Sequence, residues 1–280
     1  MQTIDTIESV REQRAQWREQ GMTVGLVPTM GCLHEGHRAL IRDCVYRADK
    51  TVVSIFVNPA QFGPGEDYEA YPRNMEHDKN DCAQEGVDIV FSPQVRQMYP
   101  PDFSTWVVEE TLSRGLCGAF RPGHFKGVAT VVTKLFNVVQ PDLTVFGKKD
   151  AQQALIVQRL IRDLNFGIRF VLGETVRAED GLALSCRNEY LTPAQRTRAT
   201  SIYRGLTEAK SLFRQGERNS AELKRVVTEA IQANAGRVEY VEVNDRQHLH
   251  AVEQIDAPAV MAVAAYFGNT RLIDNVFLEP

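Results

Sequence analysis

The apolar positions of this chain follow two rhythms. Across residues 22–172, short apolar runs alternate with stretches of helical spacing. The runs at 22–27, 51–57, 87–91, 143–146 and 168–172 read as strands, and that at 51–57 is unbroken enough for a parallel strand buried on both faces. Between the first two, Leu40, Ile41, Cys44, Val45 and Ala48 recur at helical spacing, so 36–48 reads as a helix. Helices are also expected at 74–85, from 121–127 through 139, and from the end of the fourth strand to about 164. Residues 1–20 read as a charged amphipathic helix with Ile4, Ile7, Val10 and Trp17 on its apolar side, ended by Gly21. Residues 99–123 are irregular, with one possible strand at 106–108. Alternating strands and helices call for an α/β domain: a parallel sheet with helices on both faces.

After residue 175 the rhythm changes. A turn at 176–181 and a polar-ended loop at 182–188 precede Thr192-Pro193, a helix start with threonine as cap and proline in the first turn. Helices at 193–215 and 220–234 lead to strands at 238–243, 259–265 and 273–277, the last two separated by the turn residues Gly268-Asn269. This is a smaller α+β domain. The expected division is 1–175 and 176–280.

Composition narrows the class. The chain has 280 residues, a net charge of −4 and five cysteines without a Cys-x-x-Cys pair. That count favours free thiols in a reducing cytoplasm over disulfides or zinc. The net negative charge argues against a general nucleic-acid surface. No apolar run is long enough to span a membrane, and charges interrupt the N-terminal stretch where a signal peptide would be apolar.

The chemistry centres on Val27-Pro-Thr-Met-Gly-Cys-Leu-His-Glu-Gly-His37, which turns from a strand into a helix. Such a turn aims unpaired N–H groups at a site for an anion. Gly31 and Gly36 let a ligand approach the backbone. His34 and His37, three apart, are expected on one face of the entering turn. Gly147-Lys-Lys-Asp150 stands at a second strand-to-helix junction on the same sheet edge, with Gln153 one turn further. There a lysine suits phosphate and an aspartate suits ribose, or the aspartate is simply a helix cap. Asn58 and Gln61 follow the carboxyl end of a strand, where open α/β sheets bind ligands. Ser185-Cys-Arg-Asn188 gathers four donor types in one loop. Arg121 and His124 are an anion clamp or a helix entry. Asp78 shares a helix face with Asp81 and Glu85, a weak magnesium motif or displayed surface charge. The Walker loop and the Gly-x-Gly-x-x-Gly fingerprint are absent at the turn.

His-x-Gly-His after strand, proline and glycine resembles the signature of the nucleotidylyltransferase superfamily. With it, in order, stand Ser-Ile-Phe-Val-Asn-Pro-x-Gln-Phe, Tyr-Pro-Arg, Arg-Pro-Gly-His-Phe-x-Gly-Val, Phe-Gly-x-Lys-Asp-x-Gln-Gln and Asp-Gly-Leu-Ala-x-Ser-x-Arg-Asn. Together they resemble the pantothenate synthetase (pantoate–β-alanine ligase) family over nearly the whole chain, more weakly over 193–280. The resemblance implies a Rossmann-like ATP- and pantoate-binding domain, a smaller C-terminal lid and a cytoplasmic homodimer. It implies ATP contacts at Met30, Gly31, Cys32, Leu33, His34, Glu35, Gly36 and His37. Further ATP contacts are implied at Gly147, Lys148, Lys149, Asp150, Val176, Leu184, Ser185, Cys186 and Arg187. It places pantoate on Gln61 and Gln153, β-alanine near Gln61, and Mg²⁺ with ATP. His37 matches the position given the catalytic role, and by analogy with phosphoryl transfer charge neutralisation falls to His34, His37, Lys149 and Arg187 with Mg²⁺. Asp78 is a candidate metal contact from the helix-face reading, not from the resemblance. Cys186 stands where the family more often has serine, and a thiol is the weaker donor. Two other readings remain at this level: a nucleotidylyltransferase acting on a phosphorylated acceptor, and a nucleotide-binding regulator without turnover. The first would want cations in place of Gln61 and Gln153, and the second could dispense with His37 or Lys149.

Overall fold

A computed structural model describes all 280 residues. In chain order the strands are β1 (Gln2–Ile4), β2 (Val24–Thr29), β3 (Lys50–Ile55), β4 (Ile89–Phe91), β5 (Leu143–Gly147), β6 (Arg169–Gly173), β7 (Arg237–Asp245), β8 (Ala259–Phe267) and β9 (Thr270–Leu278). The helices are α1 (Ile7–Glu19), α2 (Glu35–Arg47), α3 (Met75–Gln84), α4 (Val95–Met98), α5 (Cys117–Phe120), α6 (His124–Val139), α7 (Ala151–Asp163), α8 (Pro193–Ala199), α9 (Ser201–Arg214) and α10 (Ser220–Gln232). The chain clusters into two compact units. The first comprises Met1–Glu110, Arg121–Lys148 and Ile156–Glu174, and the second Thr111–Phe120, Lys149–Leu155 and Thr175–Pro280.

The first unit holds a six-stranded sheet in the order β1-β4-β3-β2-β5-β6, parallel throughout. Its interior strands are buried: Val24, Leu26, Val27, Val52, Val53, Ile89, Val90 and Val145 are at most 1% exposed. Helix α2 turns Ile41 and Cys44 into a cluster with Val27, Val53 and Val145, and Leu40 and Val45 pack at its margin. Helix α6 is apolar almost all round, as a helix buried in a core must be. Strand β2 lies between β3 and β5, so the chain's progress across the sheet reverses beside it. The crevice at the carboxyl ends of such strands is where open α/β sheets take ligands. Gly25 pairs with Leu143, and the same register carried four residues on sets Thr29 level with Gly147. The His-x-Gly-His turn and the Gly147-Lys148 turn therefore leave the sheet side by side.

The N-terminus differs from the expected single helix. Gln2–Ile4 is an edge strand paired with Ile89–Phe91, and the helix begins at Ile7, where Thr6 accepts the amide of Ser9 at 3.2 Å. Three residues are too few for a period to register; their conformation comes from the partner strand. Residues 106–108 have no ladder, because the amide of Val107 donates to Thr130 Oγ1 at 3.0 Å instead.

In the second unit β7, β8 and β9 form an antiparallel meander with β8 in the centre. Ile202, Leu206, Ala209 and Phe213 of α9, and Leu223, Val227 and Ile231 of α10, share one core with Val263, Ala265 and Phe267 of β8. The expected helix at 193–215 is two helices meeting at Thr200. Segments 111–120 and 149–155, which a division at 175 leaves with the first domain, cluster here. The buried Gln152 accounts for it: its Oε1 accepts from the amide of Cys117 at 3.0 Å, and its Nε2 donates to the carbonyls of Leu112 and Gly115 at 2.8 Å each.

Candidate active site

The turn after β2 is shaped from below. Thr29 Oγ1 accepts the amide of Gly31 at 3.2 Å and donates to the Ser54 carbonyl at 2.8 Å. Gly31 (φ 82°) and Cys32 (φ 54°) are both left-handed. A Cβ at Gly31 would be strained by that φ and would lie 2.8 Å from Asp78 Oδ2. The two following amides, Cys32 and Leu33, donate to Asp78 Oδ2 at 3.0 Å and Oδ1 at 2.7 Å. Leu33 then anchors the turn in the core.

Asp78 is the residue whose expected role changes most. It is 1% exposed, and both of its oxygens hold backbone. Burial pushes its carboxyl above the ordinary aspartate value, against the pull of the Leu33 and Cys32 amides. Its helix neighbours are compensated by cations: Asp81 lies 3.6 Å from Arg38, and Glu85 lies 2.6 Å from Arg38 and 3.0 Å from Arg42. Asp78 is thus a turn-holding residue.

Helix α2 opens on the two histidines. His34 is its cap residue and His37 lies in its first turn, and the two rings lie on the same side, as their spacing predicts. His34 Nδ1 accepts the amide of Gly36 at 3.1 Å, and His37 Nδ1 accepts the amide of His34 at 3.4 Å. The ring centroids are 4.1 Å apart. A backbone N–H can only donate, so each Nδ1 carries a lone pair and each neutral ring bears its proton on Nε2. Both imidazoles are thereby held as Nε2–H donors at a helix N-terminus, which itself favours negative charge. Gly36 is needed because a Cβ there would sit 2.8 Å from the His34 ring. Glu35 turns the other way, to Arg42 and Arg38.

Gln61 closes a short 3-10 turn, Pro59–Gln61, capped by Asn58. Its Oε1 accepts from Asn58 Nδ2 at 3.0 Å, and its Nε2 lies 3.1 Å from the sulfur of Met30. Arg121 and His124 are spent on this region: Arg121 grips Glu66 through Nε at 2.7 Å and Nη2 at 2.5 Å, and His124 Nδ1 lies 2.8 Å from the Gln61 carbonyl. They form the helix entry, and the guanidinium already has its carboxylate. Lys148 reaches Glu174 at 2.9 Å.

The second unit gathers most of the remaining candidates. Val176 and Leu184 meet in one small hairpin, the Leu184 amide donating to the Val176 carbonyl at 3.1 Å. Next along the chain, Ser185 Oγ caps a 3-10 turn by accepting the Arg187 amide at 3.3 Å. Cys186 is buried, while Lys149, Asp150 and Gln153 are half-buried. Two residues beyond the expected set hold these segments. Asp274 accepts from both Nη atoms of Arg177, at 2.5 and 2.9 Å, and Asn275 Nδ2 donates to the Lys149 carbonyl at 2.8 Å. They were visible in sequence only as the closing Arg-Leu-Ile-Asp-Asn275, with no spacing to tie them to a site. Asn58 carried a better signal: an Asn-Pro pair directly after a strand.

A parallel sheet that presents a histidine pair at its reversal point defines, at the level of class, a Rossmann-like α/β protein with a His-x-Gly-His turn. The model of the family described as pantoate-beta-alanine ligase matches residues 2–277. The pantothenate synthetase of Moorella thermoacetica is 50% identical over 100% of this chain and 99% of its own. That of Thermotoga neapolitana is 50% identical over 99% and 100%. The crystal structure of pantothenate synthetase from Thermus thermophilus superposes with a TM-score of 0.94 at 44% identity, covering 100% of both chains. A pantoate-beta-alanine ligase from Francisella tularensis, complexed with beta-gamma ATP and beta-alanine, superposes with a TM-score of 0.82 at 30% identity, covering 100% of this chain and 98% of its own. The chain belongs to the pantoate-beta-alanine ligase family.

Proposed function

We propose that the chain condenses (R)-pantoate with β-alanine at the expense of ATP, giving pantothenate, AMP and pyrophosphate through a bound pantoyl adenylate. A pantoate carboxylate oxygen attacks the α-phosphorus, and the bond to the β-phosphate bridging oxygen breaks. The carboxylate is already ionised at neutral pH, so this step needs no general base; it needs alignment and stabilisation of growing charge. His34 and His37 supply Nε2–H donors for it, and Lys149 and Arg187 supply positive charge. The neutral amine of β-alanine then attacks the acyl carbon, AMP leaves, and the amine's extra proton passes to solvent.

In this reading Gln61 and Gln153 hold pantoate, with β-alanine beside Gln61. ATP lies along Met30–His37, Gly147–Asp150, Val176 and Leu184–Arg187. ATP and pantoate binding fall mainly to residues 1–175, with 176–280 as the smaller domain. Magnesium enters as part of the nucleotide substrate. A cytoplasmic homodimer completes the reading; sedimentation of the purified protein tests the dimer. No helix is long and apolar enough to cross a membrane.

The observation that carries the reading is the histidine pair with both Nδ1 atoms occupied by backbone, at the carboxyl end of a central strand, in a chain of this family. The test is pyrophosphate release from Mg-ATP with pantoate, first without and then with β-alanine. Release of about one equivalent per site, becoming continuous when β-alanine is added, is the expected result. Absence of release with pantoate, but release with a phosphorylated acceptor, would discard the substrate assignment.

A further inference from the structure

Backbone groups have fixed polarity, and that decides how the amides around Gln61 face. The amide of Ala60 lies 3.3 Å from one terminal atom of Asn58, which must therefore be the acceptor Oδ1. The carbonyl of Gly127 lies 3.2 Å from the other, which must be the donor Nδ2. The Gln61 atom 3.0 Å from that Nδ2 must then be Oε1. What remains to Gln61 is Nε2, a donor, on the side of Met30, where the His-x-Gly-His turn begins. Sulfur is a weak acceptor, so an oxygen of an incoming substrate is a better partner for those protons.

The Asn58 carboxamide has one more neighbour. The Tyr99 hydroxyl lies 2.8 Å from Oδ1, the shorter of its two contacts, and can only donate to it. The phenol ring is set by aromatic neighbours: Phe103 edge-on at 5.0 Å and Trp106 stacked at 6.1 Å. Tyr99, Asn58 and Gln61 thus form a directed chain of donors ending at Gln61 Nε2, on the side of Met30.

We infer that Tyr99 is a positioning residue: acting through Asn58, it keeps Gln61 turned as a donor and so selects an acid substrate that offers an oxygen acceptor there. The inference rests on the reading of Gln61 as a pantoate contact. Without the phenol proton, Asn58 Oδ1 keeps only its longer bond, so the Asn58 carboxamide moves more freely and Gln61 Nε2 is aimed less firmly, although the Ala60 and Gly127 backbone groups still set which end of each amide faces which way. A hydroxy acid then meets a donor that is less well placed.

The experiment compares wild type, Tyr99→Phe, Gln61→Ala and the double variant in steady-state assays, with side-chain amide exchange followed by NMR. Tyr99→Phe keeps the ring packing and removes only the hydroxyl. The expected result is a rise in KM for pantoate of about three- to tenfold, with KM for ATP unchanged, and no further rise in the Gln61→Ala background. Exchange at the Asn58 carboxamide should quicken while that at Gln152 stays as in wild type. An equal rise in both KM values, or the same rise in the Gln61→Ala background, would overturn the role. A wild-type protein inert towards pantoate but with the amide response intact would sink the ligase reading and leave the Tyr99–Asn58–Gln61 relation standing. An unchanged Asn58 exchange rate would sink that relation whatever the activity.

Discussion

The carboxylate of Asp78 lies 2.7 Å from the amide nitrogen of Leu33, and through that contact and its twin to Cys32 a helix outside the signature fixes the signature's shape. Asparagine offers one acceptor where two amides need one each, and sets an NH₂ against the other. Asp78→Asn should cost about 1–3 kcal/mol even though it removes a buried charge. It should also lower kcat at least about tenfold by loosening the histidine turn. Urea melts and steady-state rates check both. Unchanged values would mean that Thr29 and Leu33 hold the turn unaided.

The two histidines should separate. His34→Ala removes the α2 cap as well as a donor, so it should lose about 1 kcal/mol of stability together with activity. His37→Ala should lower kcat by orders of magnitude while the melting temperature moves by no more than about 2 °C. Near-normal turnover in the His37 variant would take that residue out of the chemistry.

Adjacent glutamines should behave as opposites. Gln152→Ala strips partners from the Leu112 and Gly115 carbonyls and the Cys117 amide, and should destabilise by about 2–4 kcal/mol. Gln153→Ala should leave stability alone and raise KM for pantoate more than KM for ATP. The reverse ranking of the two KM values would show that the substrate pockets are misassigned.

Asp274 is nearly buried, with a side chain 3% exposed, and is ion-paired with Arg177. Asp274→Ala removes that carboxylate from the guanidinium in the hairpin that carries Val176 and Leu184. A loss of about 2–4 kcal/mol and a raised KM for ATP are expected, the upper figures for fully buried pairs being reduced for the partial exposure of Arg177. A variant as stable as wild type would show that Tyr203, stacked 4.5 Å under the guanidinium, suffices.

Glu66 and Asp78 should pull the acid stability profile in opposite directions. Burial raises the Glu66 pKa, but hydrogen bonds and charge from Arg121 outweigh it, so Glu66 sits below its ordinary 4.5 in the folded protein. A lowered folded pKa gives stability that is present above 4.5 and is lost as pH falls through the folded value. Asp78 is raised, so the folded form takes up its proton first, and its contribution declines as pH rises from 3.8 through the folded pKa. Denaturant melts from pH 6 to pH 3 should therefore fall less steeply for Glu66→Gln than for wild type. Parallel profiles would mean that the Glu66–Arg121 pair makes no net contribution.

Long elements were legible from spacing alone. Helix α2, with Ile41 and Cys44 on its inner side, and the apolar runs of β3 and β5 came out within a few residues of their expected bounds, because burial of one face imposes a period on the chain. The edge strand at Gln2–Ile4 and the break at Thr200 did not. A three-residue strand has no period, and a kink between two good helical sequences leaves the pattern intact.

The sequence by itself determined the family, the parallel sheet and the order in which the signature segments occur, since those depend on residue type and spacing along one line. Tertiary structure decided what the polar side chains face. Asp78, read from sequence as a weak magnesium motif or displayed surface charge, holds two backbone amides, and Arg121, read as an anion clamp or a helix entry, is paired with Glu66. A hydrogen bond is satisfied by whichever donor or acceptor the fold brings within about 3 Å, and chain distance, 45 residues between Asp78 and Leu33, carries no information about that.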